Sequence, residues 1–253
     1  MDKSKILITI RSGNKALLDK QLIQLSNLGI KIQALTNTSP HGYLIEILKY
    51  KLYYDWIVNI DEDCFVKDTN ALFETMEYMK KNNIDIVGPP DGGLYTIRTE
   101  YPVVFNAFFN IIRTRNIKAK PSYLAQISQD WLNMPEEEKF ERLNKFHERH
   151  ISALRYEITN KTNSQGYEPY YAVFMYLQDN HKFEYLFCKD SEEYPDAPAT
   201  EVYSPNGQLF LIHTWLARFY CETNLCMDLG IHRGSCVNNF ERINYFHDKA
   251  YCS

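Results

Sequence analysis

The chain has 253 residues, 28 Lys and Arg against 32 Asp and Glu, a formal net charge of −4 and 45% hydrophobic residues. That is enough apolar material for a large core, and a slightly acidic balance without a basic block disfavours nucleic acid as a partner. No apolar run approaches the ~18 residues of a membrane span, and the opening "MDKSKILITIRSGN" is too short in apolar residues for a signal-peptide core. Six cysteines, at 64, 188, 221, 226, 236 and 252, have no secretory context. Reduced thiols in a soluble, cytoplasmic protein are expected, with peripheral membrane contact left open. Cys221, Cys226, His232 and Cys236 match no common short zinc spacing well, so ordinary cysteines in a loop-rich tail over 221–253 are expected, with a zinc knuckle as the alternative.

In chain order, "KILITI" (5–10) reads as a strand ended by the turn "SGN". Apolar residues at 17, 18, 22, 25 and 28 then keep helical spacing up to Gly29. "IKIQALTNT" reads as a second strand, "YLIEILKYKLYY" as a second helix, and "DWIVNIDED" as a third strand. A helix over 69–82 and the strand "IDIVGPP" follow. Alternation of this kind predicts a mostly parallel sheet with helices on both faces and a ligand crevice beyond the carboxyl ends of the strands. "PVVFNAFFNIIRT" continues as a strand. Residues 113–165 read as an insertion: a basic stretch with Arg113, Arg115, Lys118 and Lys120, then a helix opening at Pro135. "YEPYYAVFMYLQDN" is a further helix, and "FEYLFC" and "GQLFLIHTW" are closing strands. With no repeat or linker, one domain is expected, with a nucleotide-binding half over about 1–100 and an acceptor-side half over about 101–220.

At the end of the third strand, "WIVNIDEDCFV" sets Asp61, Glu62 and Asp63 directly after an apolar run. Residues two apart in a strand share a face, so Asp61 and Asp63 pair while Glu62 points away. Two such carboxylates are costly to bury unpaired. A hard divalent cation such as Mg²⁺ or Mn²⁺, its shell completed by substrate phosphates, resolves the conflict. The plainer alternative is an acidic turn capping the next helix.

This arrangement resembles the glycosyltransferases of the GT-A fold, a Rossmann-like α/β class with a mixed, mostly parallel sheet. The resemblance extends in order to "VVFNAFFN" at 103–110, "SQGYEPYYA" at 164–172 and "LFLIHTWLAR" at 209–218, and covers roughly 5–220. It implies a metal-dependent transfer of a sugar from a nucleotide-diphosphate sugar to a hydroxyl of a glycan, lipid-linked or protein acceptor. Asp61, Asp63 and His213 would be the metal ligands. Ile10, Arg11, Asn37, Asp61, Glu62, Asn106 and Arg218 would contact the donor. Glu168 would be the base for the acceptor hydroxyl, with Asp91 in "PPDGG" as a second candidate. The sequence departs from the resemblance in the size of its insertion and in lacking a Gly-Lys pattern after the His. Two rival readings stand beside it. One is a haloacid-dehalogenase-type phosphatase or phosphotransferase, which also places Asp-x-Asp after a strand. The other is a non-catalytic nucleotide-sugar-binding module.

Overall fold

The computed structural model describes residues 1–36, 38–39, 42–91, 101–154, 167–191, 199–215 and 239–251. Apart from a short extra strand at Cys64–Val66, the first half alternates as read from the sequence: β1 (Ile6–Ser12), α1 (Lys15–Ser26), β2 (Lys31–Thr36), α2 (Tyr43–Lys49), β3 (Trp56–Asp61), β4 (Cys64–Val66), α3 (Thr69–Lys81) and β5 (Ile86–Gly88). Then come β6 (Phe109–Arg113), α4 (Pro121–Asn133), α5 (Glu136–His150), α6 (Tyr171–Asn180), β7 (Phe183–Tyr185), β8 (Phe187–Asp190), β9 (Thr200–Tyr203), β10 (Leu209–His213) and α7 (Asn239–Tyr251).

Six strands form one sheet in the order β2-β1-β3-β6-β5-β7. β1 runs parallel to β2 and β3, and β5 parallel to β7, while β6 runs against both of its neighbours. The expected class is therefore the one found: a mixed, mostly parallel α/β sheet flanked by helices, with an inserted helical region. The apolar strands are explained by burial on both faces. Leu7, Ile57, Ile86 and Ile112 join one core with residues of α2, α4, α5 and α6. Ile6, Ile8, Ile10, Val58, Ile60, Val87 and Ile111 join a second core with α1, α3 and a smaller sheet. That smaller sheet, antiparallel in the order β4-β10-β9-β8, is not expected as a separate sheet from the sequence, which reads "DWIVNIDED" as one strand and "GQLFLIHTW" as a closing strand. The chain leaves the main sheet at Asp61, turns through Glu62 and Asp63, and enters the second sheet at Cys64.

From β1 the chain reaches β2 on one side and β3 on the other, so the carboxyl ends of β1 and β3 form a topological switch point, where open α/β sheets take their ligands. Arg11 and Asp61 are register partners there. At Gly88 on β5, an added Cβ would run into the Asn110 side chain and stand 3.2 Å from the Phe109 carbonyl, so only glycine lets β6 pack this close.

Several expectations need correction. Of "PVVFNAFFNIIRT" only Phe109–Arg113 is strand. The insertion holds two helices, because Pro121 opens α4 before Pro135 caps α5. Its basic stretch begins at the opposite end of β3 from the acids: Arg113 pairs with Trp56, the first residue of β3, five strand positions (about 17 Å) from Asp61. There Arg115 pairs with Asp55 and Arg113 lies over the Trp56 ring. The tail read as loop-rich carries α7, whose Ile243, Phe246 and Ala250 pack on Phe65, Leu17 and Ile212. Cys64 and Cys188 are buried free thiols. Cys221, Cys226, His232 and Cys236 lie outside the described residues, as do Asn37 and Arg218.

Candidate active site

The three consecutive acids face three different partners. β3 ends at Asp61, so the two-residue strand period does not carry on to Asp63. Asp61 takes both branches of the Arg11 guanidinium, with Nε donating to Oδ1 at 3.0 Å and Nη2 donating to Oδ2. Glu62 accepts hydrogen bonds from the Ser12 hydroxyl and, at 2.6 Å, from the backbone amide of Asn14, the residue whose side chain caps α1. Asp63 meets a residue 150 positions away: its Oδ1 stands 3.3 Å from His213 Nε2. The β10–β4 pairing explains this, since His213 and Cys64 are register partners and the amide and hydroxyl of Thr214 both donate to the Asp63 carbonyl.

The His213 ring is held on both sides. It stacks on Phe108 at 4.0 Å between centroids and leans on Trp215 at 4.3 Å. Trp215 has a φ of +46°, an uncommon backbone state for a bulky residue, and its indole N–H donates to Thr200 at 2.9 Å. His213 Nδ1 is buried without a hydrogen-bond partner among the described residues.

The charges work on one another. Burial pushes the Asp61 carboxyl above the usual range, Arg11 pulls it back, Asp63 pushes it up, and His213 pulls it down. Burial also raises Glu62, against the hydrogen bonds from Ser12 and Asn14. Asp61, Asp63 and His213 thus form one electrostatic unit, although Asp61 faces Arg11. For that reason no three acid, His or Cys side chains converge as a ready metal cage among the described residues. The donors present are nevertheless the kind Mn²⁺ or Mg²⁺ takes: carboxylate oxygens and, for Mn²⁺, an imidazole. Such ions commonly keep one or two protein carboxylates and draw their other ligands from phosphates and water.

The other residues singled out from the sequence separate clearly. The Ile10 side chain is in the core, which leaves only its backbone to face a ligand. Asn106, expected to touch the donor, is committed internally: its amide donates to Asp91 Oδ1 at 2.5 Å and its oxygen accepts from the Phe108 amide. Asp91 is fully buried and also accepts from the hydroxyls of Tyr170 and Tyr171 at 3.0 and 2.9 Å. It knits the Asn106 loop to the start of α6. Glu168, just before α6, is half-buried, and its carbonyl accepts from the Tyr171 amide.

Two contributors were not singled out from the sequence. Tyr43, at the start of α2, carries the Arg11 guanidinium 4.8 Å above its ring and packs edge-on against Tyr170. Burial raises its phenol well above the ordinary value. Arg11 opposes that, while Asp61, Glu168 and Asp91 push the same way. Four of the expected site residues therefore act electrostatically on one buried phenol. Gln21, on the inward face of α1, donates to the carbonyls of Asp61 and Cys64 at 2.7 and 2.8 Å and pins the acidic turn. Its signal was visible: a lone amide among Leu17, Leu18 and Leu25 on an apolar helix face. Tyr43 gave none, since an aromatic at helical spacing reads as core. A cavity of about 350 Å³ lined by Tyr123, Trp131, Arg142, Phe146, Arg149 and Met175 contains none of the strand-end acids.

No protein-family model matches the chain, and no curated protein does. Solved structures with a similar trace include A197 from STIV, at 17% identity and TM-score 0.35, over 48% of this chain and 76% of that one. The 4-diphosphocytidyl-2C-methyl-D-erythritol synthase of Anaerococcus prevotii aligns at 12% identity and TM-score 0.34, over 73% of this chain and 89% of that one. Mouse xyloside xylosyltransferase 1 aligns at 10% identity and TM-score 0.33, over 72% and 84%. At these values the functional reading rests on the chemistry of the strand ends.

Proposed function

We propose that the chain is a metal-assisted glycosyltransferase that uses a nucleotide-diphosphate sugar. The observation that carries this reading is the 3.3 Å approach of His213 to Asp63 at the switch point, beside Asp61 and Arg11. Nothing local in the sequence requires residues 150 positions apart to meet, and burying acids together needs a purpose beyond stability.

Asp63 and His213 would hold the cation, with Asp61 near enough to join them. When bound, the cation supplies Lewis-acid stabilisation of the diphosphate as it leaves. Arg11 adds a second positive charge fixed on the Tyr43 ring, aimed where negative charge grows. The anomeric carbon–phosphate oxygen bond breaks and the nucleoside diphosphate departs with the electron pair. The acceptor oxygen forms the new bond, and its proton goes to Glu168, half-buried just before α6. Gln21 and Thr214 keep the acid turn in place while this happens.

The test is incubation with a panel of nucleotide sugars and Mn²⁺, read as nucleoside diphosphate release. Release from at least one donor is expected, abolished by EDTA and by Asp63→Asn. Release of inorganic phosphate from a phosphomonoester would favour the phosphatase reading. Pyrophosphate release from a nucleoside triphosphate would make the chain a nucleotidyltransferase. Binding without any product would make it a binding module.

A further inference from the structure

The Arg11–Asp61 pair is difficult to reconcile with a permanently assembled metal site. It is two-pronged, which is the strong geometry for guanidinium and carboxylate, and it lies largely out of water, with side-chain exposures of 26% and 11%. Register fixes it, because Arg11 and Asp61 are paired positions on adjacent parallel strands. The same guanidinium also lies 4.8 Å above the Tyr43 ring, a second contact made with a group other than Asp61. Without metal, the two acids are thus served separately, Asp61 by Arg11 and Asp63 by His213. Asp61 still lies close enough for Asp63 and His213 to act on its carboxyl.

We propose that Arg11 is a resident counter-cation that competes with the divalent metal for Asp61, so that the cation enters on Asp63 and His213 and recruits Asp61 only as Arg11 lets go. Arg11, still seated on Tyr43, then has an unoccupied fork for the diphosphate. The inference rests on the metal-site reading above, and it makes Arg11 a positioning residue with an unusual sign: removing its charge strengthens metal binding.

The test is a Mn²⁺ titration followed by the free-ion electron paramagnetic resonance signal, on the full chain without nucleotide, using wild type, Arg11→Met, Asp61→Asn and the double variant. Arg11→Met is expected to bind Mn²⁺ at least about tenfold more tightly than wild type, since a nearby positive charge has gone and Asp61 is released. Asp61→Asn alone should change affinity by less than about threefold, because Arg11 already occupies that carboxylate. The double variant should lose the gain of Arg11→Met. If Arg11→Met does not fold, Arg11→Lys keeps the charge but loses the fork and should show a smaller gain of the same sign. Equal or weaker binding in the Arg11 variants, or a tenfold loss in Asp61→Asn alone, overturns the competition while leaving the metal site standing. If wild type binds Mn²⁺ no better than His213→Ala, the metal-site reading fails and the competition with it.

Discussion

Two aspartate–histidine pairs lie at opposite ends of this protein's main sheet, and they differ in everything except residue type. At the amino-terminal end of β5, Asp85 faces His181 Nδ1 at 3.9 Å. Its carboxylate also accepts from the Asn116 side chain and, at 3.2 Å, from the Lys182 amide, so neutral donors serve a single acid. At the carboxyl end of β3, Asp63 faces His213 at 3.3 Å with Asp61 and Arg11 beside it, two aromatic rings holding the imidazole, and one ring nitrogen without a partner among the described residues. The first pair closes a seam between β5, β7 and the loop after β6. The second gathers more charge than its own hydrogen bonds resolve. An acid beside a histidine is therefore not enough to mark a site. A surplus of charge at the switch point is what separates the two.

Matched substitutions should split them. Asp63→Ala is expected to lower nucleoside diphosphate release by about 10³-fold or more, as loss of an electrostatic centre does, with little change in the urea midpoint. Asp85→Ala should leave turnover near wild type and cost about 1–3 kcal/mol of stability by stranding buried donors, read from the same denaturation curves. If Asp63→Ala unfolds the protein, the strand-end acids are structural.

Next in size, His213→Ala should weaken Mn²⁺ affinity by roughly 10–100-fold, while Asp85→Ala leaves it unchanged. Equal losses in both would erase the distinction between the two ends.

The smallest effect concerns pH. Burial holds His181 below its ordinary value, with Asp85 partly opposing. A histidine depressed in the folded state favours its neutral form. Its contribution is full above the unfolded value of ~6.5 and is lost as pH falls through the folded value. His181→Asn should therefore flatten the decline of stability between about pH 6.5 and 5, measured by urea unfolding across that range. An unchanged slope would show that this pair is not what titrates.

The alternating first half of the fold was legible because its inner strands β1, β3 and β5 are buried on both faces and each helix keeps one apolar stripe. The second sheet was not. β4 is three residues long, and its partner β10 is separated from it by more than a hundred positions, so no local pattern announces that the chain changes sheets after Asp61. That change also altered the site: Asp61 and Asp63 are neighbours through space without sharing a strand face. α4 was hidden because the basic stretch before Pro121 dominates its neighbourhood, and α7 because its apolar stripe is sparse. In the site, the acids, His213 and Arg11 stood out as charges at strand ends, whereas Asn106 and Asp91 looked equally exposed in sequence and prove to be internal ties. Only the tertiary structure separates a polar residue facing a crevice from one bridging two loops.

The central claim, that Asp63 and His213 jointly hold a divalent cation, is tested most directly by pulsed electron paramagnetic resonance on the Mn²⁺-loaded protein. A nitrogen coupling from a directly bound imidazole is expected in wild type and should disappear in His213→Gln. Mn²⁺ bound without any nitrogen coupling, or a coupling that persists in His213→Gln, would contradict it.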